Sequence, residues 1–235
     1  MSRHLLLRLH APLIAFGGET IDNFGVIRDF PALSMITGLF ANALGWRHED
    51  RSLHNLLQGR MLLGSRLNTP IQRLTDFQTA QLGKDDKGWT TWGVPEERRG
   101  DPKTYESPHL RYRDYHADLD VLVAVRLEPA EQFPTLDDLA DALDHPARPL
   151  SIGRKTCLPS KRLFSGWVES DNVLQALLSG AECDQPFRMQ WPDGEGCLAG
   201  DRLIELCDER NWTSDVHGGW RPVREGVFTP PGDQT

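Results

Sequence analysis

The most chemically loaded stretch of the sequence runs from Leu150 to Phe164 and reads Leu-Ser-Ile-Gly-Arg-Lys-Thr-Cys-Leu-Pro-Ser-Lys-Arg-Leu-Phe. Gly153 is followed at once by Arg154 and Lys155, and after a Pro159-Ser160 turn come Lys161 and Arg162. Glycine lets backbone come close to a polyanion, while guanidinium and ammonium groups reach its oxygens. The chemistry on offer is recognition of phosphates. Taken alone such a turn is an ordinary solvated loop, so its meaning depends on where the fold puts it.

The elements that must position it are legible in outline. His4 to Leu9 reads as a central strand, heavily apolar. A loop rich in small and polar residues follows to Pro31, and Ser34 is expected to cap a helix carrying Met35, Ile36, Leu39, Phe40, Ala43 and Leu44 on one face. A short helix over Ser52 to Gln58 and a strand over Arg60 to Leu67 come next. Pro70 to His116 is long and irregular, with Trp89 and Trp92 among its glycines, prolines and cations. Loops of that length are functional or disordered, and the tryptophans favour a projecting arm that packs on a partner.

Val121 to Leu127 is the clearest strand, and Thr135 to Leu143 an acidic amphipathic helix with Thr135 as its cap. Leu150 to Ile152 is expected to end a further buried strand, directly before the glycine. The order strand, helix, strand, insertion, strand, helix, strand is the α+β, ferredoxin-like βαββαβ plan that RNA-recognition modules share. That plan occupies residues 1–167, with the insertion at about 70–117. Residues 168–235 form a smaller β-rich region, with a short helix over Asn172 to Leu178, strands of a smaller sheet of their own at Phe187 to Trp191 and Arg202 to Leu206, and a last strand at Val223 to Phe228.

Bulk properties set bounds. The 235 residues suffice for one substantial core with a smaller appendage, and 39% hydrophobic with 26% charged residues is ordinary for a soluble protein. No apolar run approaches the ~20 residues that span a bilayer, and Leu5-Leu6-Leu7, cut by Arg8, reads as a strand and not a signal peptide. The expected setting is cytoplasmic, with no membrane partner. Net charge is −8, which argues against indiscriminate nucleic-acid binding, yet cations gather at Arg98, Arg99, Lys103, Arg111 and Arg113 and again at Arg148, Arg154, Lys155, Lys161 and Arg162. A sorted surface binds an anion locally while staying acidic overall. Cys157, Cys183, Cys197 and Cys207 form no C-x-x-C pair, so no metal site and no cofactor is expected.

Taken together, the residues resemble the CasD family of subunits from type I-E CRISPR surveillance complexes (Cascade), within the Cas5 group of the RAMP superfamily. The resemblance is carried by Leu5-Leu6-Leu7-Arg8-Leu9 with Pro12 and Ala15-Phe16-Gly17, by Phe30-Pro31 with Ser34 and Gly38, and by Leu44-Gly45. It continues through Arg73, Asp76 and Gln78, then Arg99-Gly100, Tyr105-Glu106, Arg111-Tyr112 and Asp118. Ile152-Gly153-Arg154-Lys155-Thr156-Cys157-Leu158-Pro159 is the most specific piece, and the last third matches loosely around Arg210-Asn211-Trp212.

The resemblance implies a non-catalytic subunit that hooks the 5′ handle of a guide RNA, with a thumb that reaches the backbone subunit. It also implies contact with the large and small subunits, and with target DNA through the assembly. Gly153, Arg154 and Lys155 would then bind the handle, with Lys161 and Arg162 beside them unless the acidic helix claims those two. Arg99, Arg111 and Arg113, with Trp89 and Trp92, would lie on the thumb. Leu33 departs from the family, where a basic residue is common, which leaves the backbone N–H groups around Ser34 to meet phosphate. Two alternatives stand beside this. One is a metal-independent endoribonuclease, as in type I-C relatives, with His10 or Tyr105 as the base near the 2′-hydroxyl and Lys155 as the cation on the developing charge. The other is a scaffold that binds only protein.

Overall fold

Apolar residues on both faces of the first strand mark it as covered from two sides, and the fold bears this out. The computed structural model describes residues 1–81, 108–179 and 185–230, together with the backbone of two short strands at 88–89 and 95–96. In chain order the elements are β1 (Ser2–Ile14), β2 (Gly17–Ile21), β3 (Phe24–Ile27), α1 (Leu33–Ala43), α2 (Arg51–Arg60) and β4 (Met61–Leu67). Then come β5 (Arg73–Ala80), β6 (Gly88–Trp89), β7 (Pro95–Glu96), β8 (His109–Leu127), α3 (Leu136–Asp144), β9 (Phe164–Ser170) and α4 (Val173–Leu178). The last are β10 (Phe187–Pro192), β11 (Arg202–Leu206), β12 (Arg210–Asn211), β13 (Val216–His217) and β14 (Arg221–Phe228).

The chain is a mixed α/β structure built on one large sheet of order β11-β14-β10-β4-β8-β1-β9, with β2, β3 and β5 branching from it. Leu5, Leu7 and Leu9 of β1 and Val121, Val123 and Val125 of β8 are fully buried on the face covered by α1, α2 and α3. Leu6, Leu62 and Ala124 face the other way, onto α4 together with Met189 and Trp191. Each fully buried leucine contributes about 1.5–3 kcal/mol. On that second face Arg8 clamps the Asp120 carboxylate at 2.6 and 2.9 Å. Burial works against that carboxylate, but Arg8 and Asn68 outweigh it and hold its pKa below the usual range.

Several expectations need correction. The C-terminal strands do not make a sheet of their own: β10 pairs with β4, and β14 and β11 follow it outward, so they lengthen the main sheet. The boundary expected at residue 168 falls inside β9. The loop expected before Pro31 contains the β2–β3 hairpin. Leu150 and Ile152 are buried but not in a strand; the sheet element comes after the glycine bend, as β9. Nor does Ser34 cap α1. The cap position is Ala32, whose side chain accepts nothing, and Ser34 lies within the first turn. Thr135, by contrast, caps α3 through a reciprocal pair with Asp138, at 3.3 Å and 2.8 Å.

Residues 73–80 pair with 109–116, so both ends of the irregular stretch form one antiparallel ribbon, β5 against the first half of β8. Among the described residues no helix is long and apolar enough to cross a membrane.

Candidate nucleic-acid interface

Gly153 sits at φ +89°, and a Cβ there would lie 1.8 Å from the carbonyl oxygen of Ala15. Only glycine permits that approach. The bend is closed by N–H donation from Ile152 to the Cys157 carbonyl (2.7 Å) and from Cys157 to the Arg154 carbonyl (2.8 Å). Beneath it the Cys157 thiol is buried, which pushes its pKa up and keeps it neutral.

Between this bend and α1 lies a cleft of about 670 Å³. Its helical wall carries Ser34, Gly38 and Asn42, four residues apart and so on one stripe of α1. Its other wall carries Leu150, Ser151, Gly153, Lys155 and Leu158. Lys155 is exposed and makes no ion pair with any described residue. Leu158 is 59% exposed. Arg148 closes one end by donating to the Gly45 and Trp46 carbonyls at 2.6 and 2.9 Å, where the end of a helix favours a cation. The cleft thus joins an exposed ammonium, neutral hydroxyl groups and apolar patches. Such a mixture suits an unpaired stretch of nucleic acid.

The structure therefore brings Ser34, Gly153 and Lys155 together. Arg154 has another duty. Its guanidinium donates to the Asp114 carbonyl (2.7 Å) and the Gly25 carbonyl (2.9 Å) and lies 4.6 Å over the Tyr115 ring, pinning the bend to β8 and β3. Arg162 is paired with Asp144 at the end of α3, its Nε 2.7 Å from the carboxylate, and this pair draws the Asp144 pKa down. Lys161 lies 3.7 Å from Asp120.

The backbone anion site expected around Ser34 is already filled from within the chain. Leu33 N–H donates to the Asp208 carboxylate (2.9 Å) and Ser34 N–H to the Asp208 carbonyl (3.0 Å). Arg221 grips the same carboxylate at 2.7 and 2.8 Å. Asp208 arrives from the far end of the chain, and nothing local in the sequence announces it. Asn42 lies on α1 itself, eight residues from Ser34, and the apolar spacing that marks the helix says nothing of its polar stripe.

On the ribbon, Arg111 donates to Asn23 Oδ1 (2.5 Å), and Arg113 stands opposite Gly25 of β3 and Asp76 of β5. Trp89 pairs through its backbone with Pro95. Arg99, Trp92 and Tyr105 lie outside the described residues. His10 holds Ser160 through Nδ1 and sits 3.6 Å from Asp118, and it is not among the residues lining the cleft with Lys155.

Comparison with known proteins adds an independent line. A family model described as CRISPR-associated protein (Cas_Cas5) matches residues 4–224. The chain is 28% identical over 179 residues to the CRISPR system Cascade subunit CasD of Escherichia coli (strain K12), covering 76% of this chain and 77% of that one. Among solved structures, a chain of a CRISPR RNA-guided surveillance complex superposes with a TM-score of 0.71 at 24% identity, covering 97% of this chain and 91% of that one. A crystal structure of a Cas protein follows at 0.57 and 21%, covering 96% and 95%. At those identities the structural likeness speaks for the fold.

Proposed function

Because the chain belongs to the CRISPR-associated protein (Cas_Cas5) family, we propose that it is the non-catalytic guide-RNA-binding subunit of a type I-E surveillance complex. In this reading it caps the 5′ handle of the guide in the cytoplasm, beside the backbone, large and small subunits, and meets target DNA through the assembly. The observation that carries the reading is the cleft between α1 and the Gly153 bend, with Lys155 at its rim and unpaired among the described residues. The likeness to a Cascade subunit over three quarters of the chain supports it. The fold agrees as well. Numbered among themselves, β1, β4, β8 and β9 stand in the order second, third, first, fourth with every neighbour antiparallel, which supports a ferredoxin-like core with the β5–β8 ribbon as the root of a thumb.

The roles divide accordingly. Lys155 neutralises phosphate, Gly153 lets the bend approach it, and the Ser34 hydroxyl lies on the helical wall, while Asn42 ties that wall to Arg148 and the Pro149 carbonyl. Arg154 acts one step back, by fixing the bend.

The test is the affinity of the full chain for single-stranded handle RNA with Lys155→Glu. A loss of about tenfold is expected, with a shallower salt dependence, since each phosphate neutralised on a single strand adds about 0.7 to the slope of log affinity against log salt. Unchanged affinity overturns the assignment of the cleft. Incubation with precursor repeat RNA in EDTA should leave the RNA whole; a cut at the handle boundary would instead favour the endoribonuclease.

A further inference from the structure

Three aromatic side chains that the cleft does not use stand in a row on the ribbon. Parallel pairing of β3 with β8 sets Phe24 opposite Tyr112, and antiparallel pairing of β5 with β8 sets Phe77 on the other side of Tyr112. Residues in register on neighbouring strands share a face, so the three rings form one strip. Phe24 and Tyr112 are stacked, with centroids 5.0 Å apart and planes 12° from parallel; Phe77 continues the row at 5.1 Å. Phe24 and Phe77 are each 53% exposed. A single exposed phenylalanine needs no explanation, but a contiguous aromatic strip marks a binding surface.

The reverse of the same ribbon carries two arginines, with Asp76 in register opposite Arg113. Side chains alternate along β8, so Arg111 and Arg113 point away from Tyr112. The guanidiniums of Arg113 and Arg154 converge over Gly25, the residue after Phe24; a Cβ on Gly25 would lie 2.9 and 3.0 Å from them. The tip of the β2–β3 hairpin, at Asp22 and Asn23, adjoins both: Asn23 directly precedes Phe24 and accepts from Arg111.

We propose that the Phe24–Tyr112–Phe77 row is a stacking platform for unpaired RNA bases, whose phosphates reach Arg113 and the bend around the β2–β3 tip. The proposal rests on the reading of the chain as an RNA binder and adds to it a site separate from the cleft. Two features select nucleic acid over an apolar protein surface as the occupant. The Phe24–Tyr112 pair already has the near-parallel geometry of stacked bases, and the guanidiniums one residue away favour a polyanion. Aromatic rings on a sheet face, with arginine beside them, bind splayed bases in this way.

The experiment uses the full chain and a single-stranded RNA oligonucleotide carrying fluorescent purine analogues. Phe24→Ala and Phe77→Ala are each expected to weaken binding about tenfold and to restore part of the purine fluorescence that stacking quenches. Phe24→Trp should retain both affinity and quenching. Because stacking is not ionic, the loss should persist at high salt, where the effect of Lys155→Glu fades. Thermal melts of the variants should match the parent, since both rings are exposed.

Full affinity in both alanine variants, with Lys155→Glu impaired, overturns the platform and leaves the cleft standing. Loss in the alanine variants with Lys155→Glu unimpaired supports the platform and overturns the cleft. No RNA binding by the parent chain removes both. Alanine variants that keep RNA but drop out of the assembled complex mark the row as a protein-docking face, which also overturns the proposal.

Discussion

The two halves of β8 share one backbone path and differ in almost everything else. From Leu119 to Leu127 the strand lies between β1 and β4, and its apolar residues are buried on both faces. From His109 to Asp114 it lies between β5 and β3, and no residue is fully buried. The first half is held by apolar area, which is large and diffuse. The second is held by ladder hydrogen bonds and a few pins: Arg154 on the Asp114 and Gly25 carbonyls, and Arg73 on Asp29 at 2.8 Å. Substitutions in the core half should therefore register as stability, whereas those on the ribbon and its bend should register as binding.

The sharpest way to break that contrast is in the core. Leu9→Ala should cost about 3 kcal/mol, read as a lower denaturant midpoint with unchanged slope. RNA affinity measured on the folded fraction should hardly change. A smaller effect, but on both readouts, is expected for Gly153→Ala. Left-handed backbone alone costs a side chain about 1–2 kcal/mol, and the Ala15 carbonyl must also move. Stability should fall by roughly 2 kcal/mol or more, and RNA affinity should fall with it because the bend shifts. An affinity that survives while stability falls would detach the bend from binding.

The smallest expected effect is one of pH and bears on the joint between the halves. His116, at that joint, is fully buried; its Nε2 donates to the Arg28 carbonyl (2.8 Å), and Asp29 and Arg73 are the charges that face it. His4 in β1 is equally buried, near Arg126, Glu195 and Glu169. Burial disfavours the charged ring and lowers both pKa values below the ordinary 6.5. In the window between the folded and unfolded values the unfolded chain binds more protons. Stability is thus complete above about pH 6.5 and declines as pH falls through that window. Denaturant midpoints at pH 7.5 and 5.5 should show the decline, and His116→Gln should flatten it.

What could be read from the sequence follows the same division. The Val121 to Leu127 half of β8 and the Thr135 cap of α3 were legible because an apolar run and capping are local. The β5 strand and the β2–β3 hairpin were not, since strands without a core carry no apolar alternation. Leu150 and Ile152 gave a false strand signal: they are buried because a loop tucks them into the core beneath the helices, and composition does not distinguish that from a strand. Lys155 was legible as a cation. The duty of Arg154 was not, because its acceptors are backbone carbonyls, which no residue type encodes. Phe24, Tyr112 and Phe77 lie on three strands of different register, and only the pairing assembles them.

The contact between Leu33 and Asp208 spans 175 positions. A ribosome delivers the first turn of α1 long before it delivers the carboxylate that completes it. The first turn of that wall is therefore completed by residues made near the end of synthesis, Asp208 and the Arg221 that grips it, so the N-terminal helix and the C-terminal strands reach their final form together.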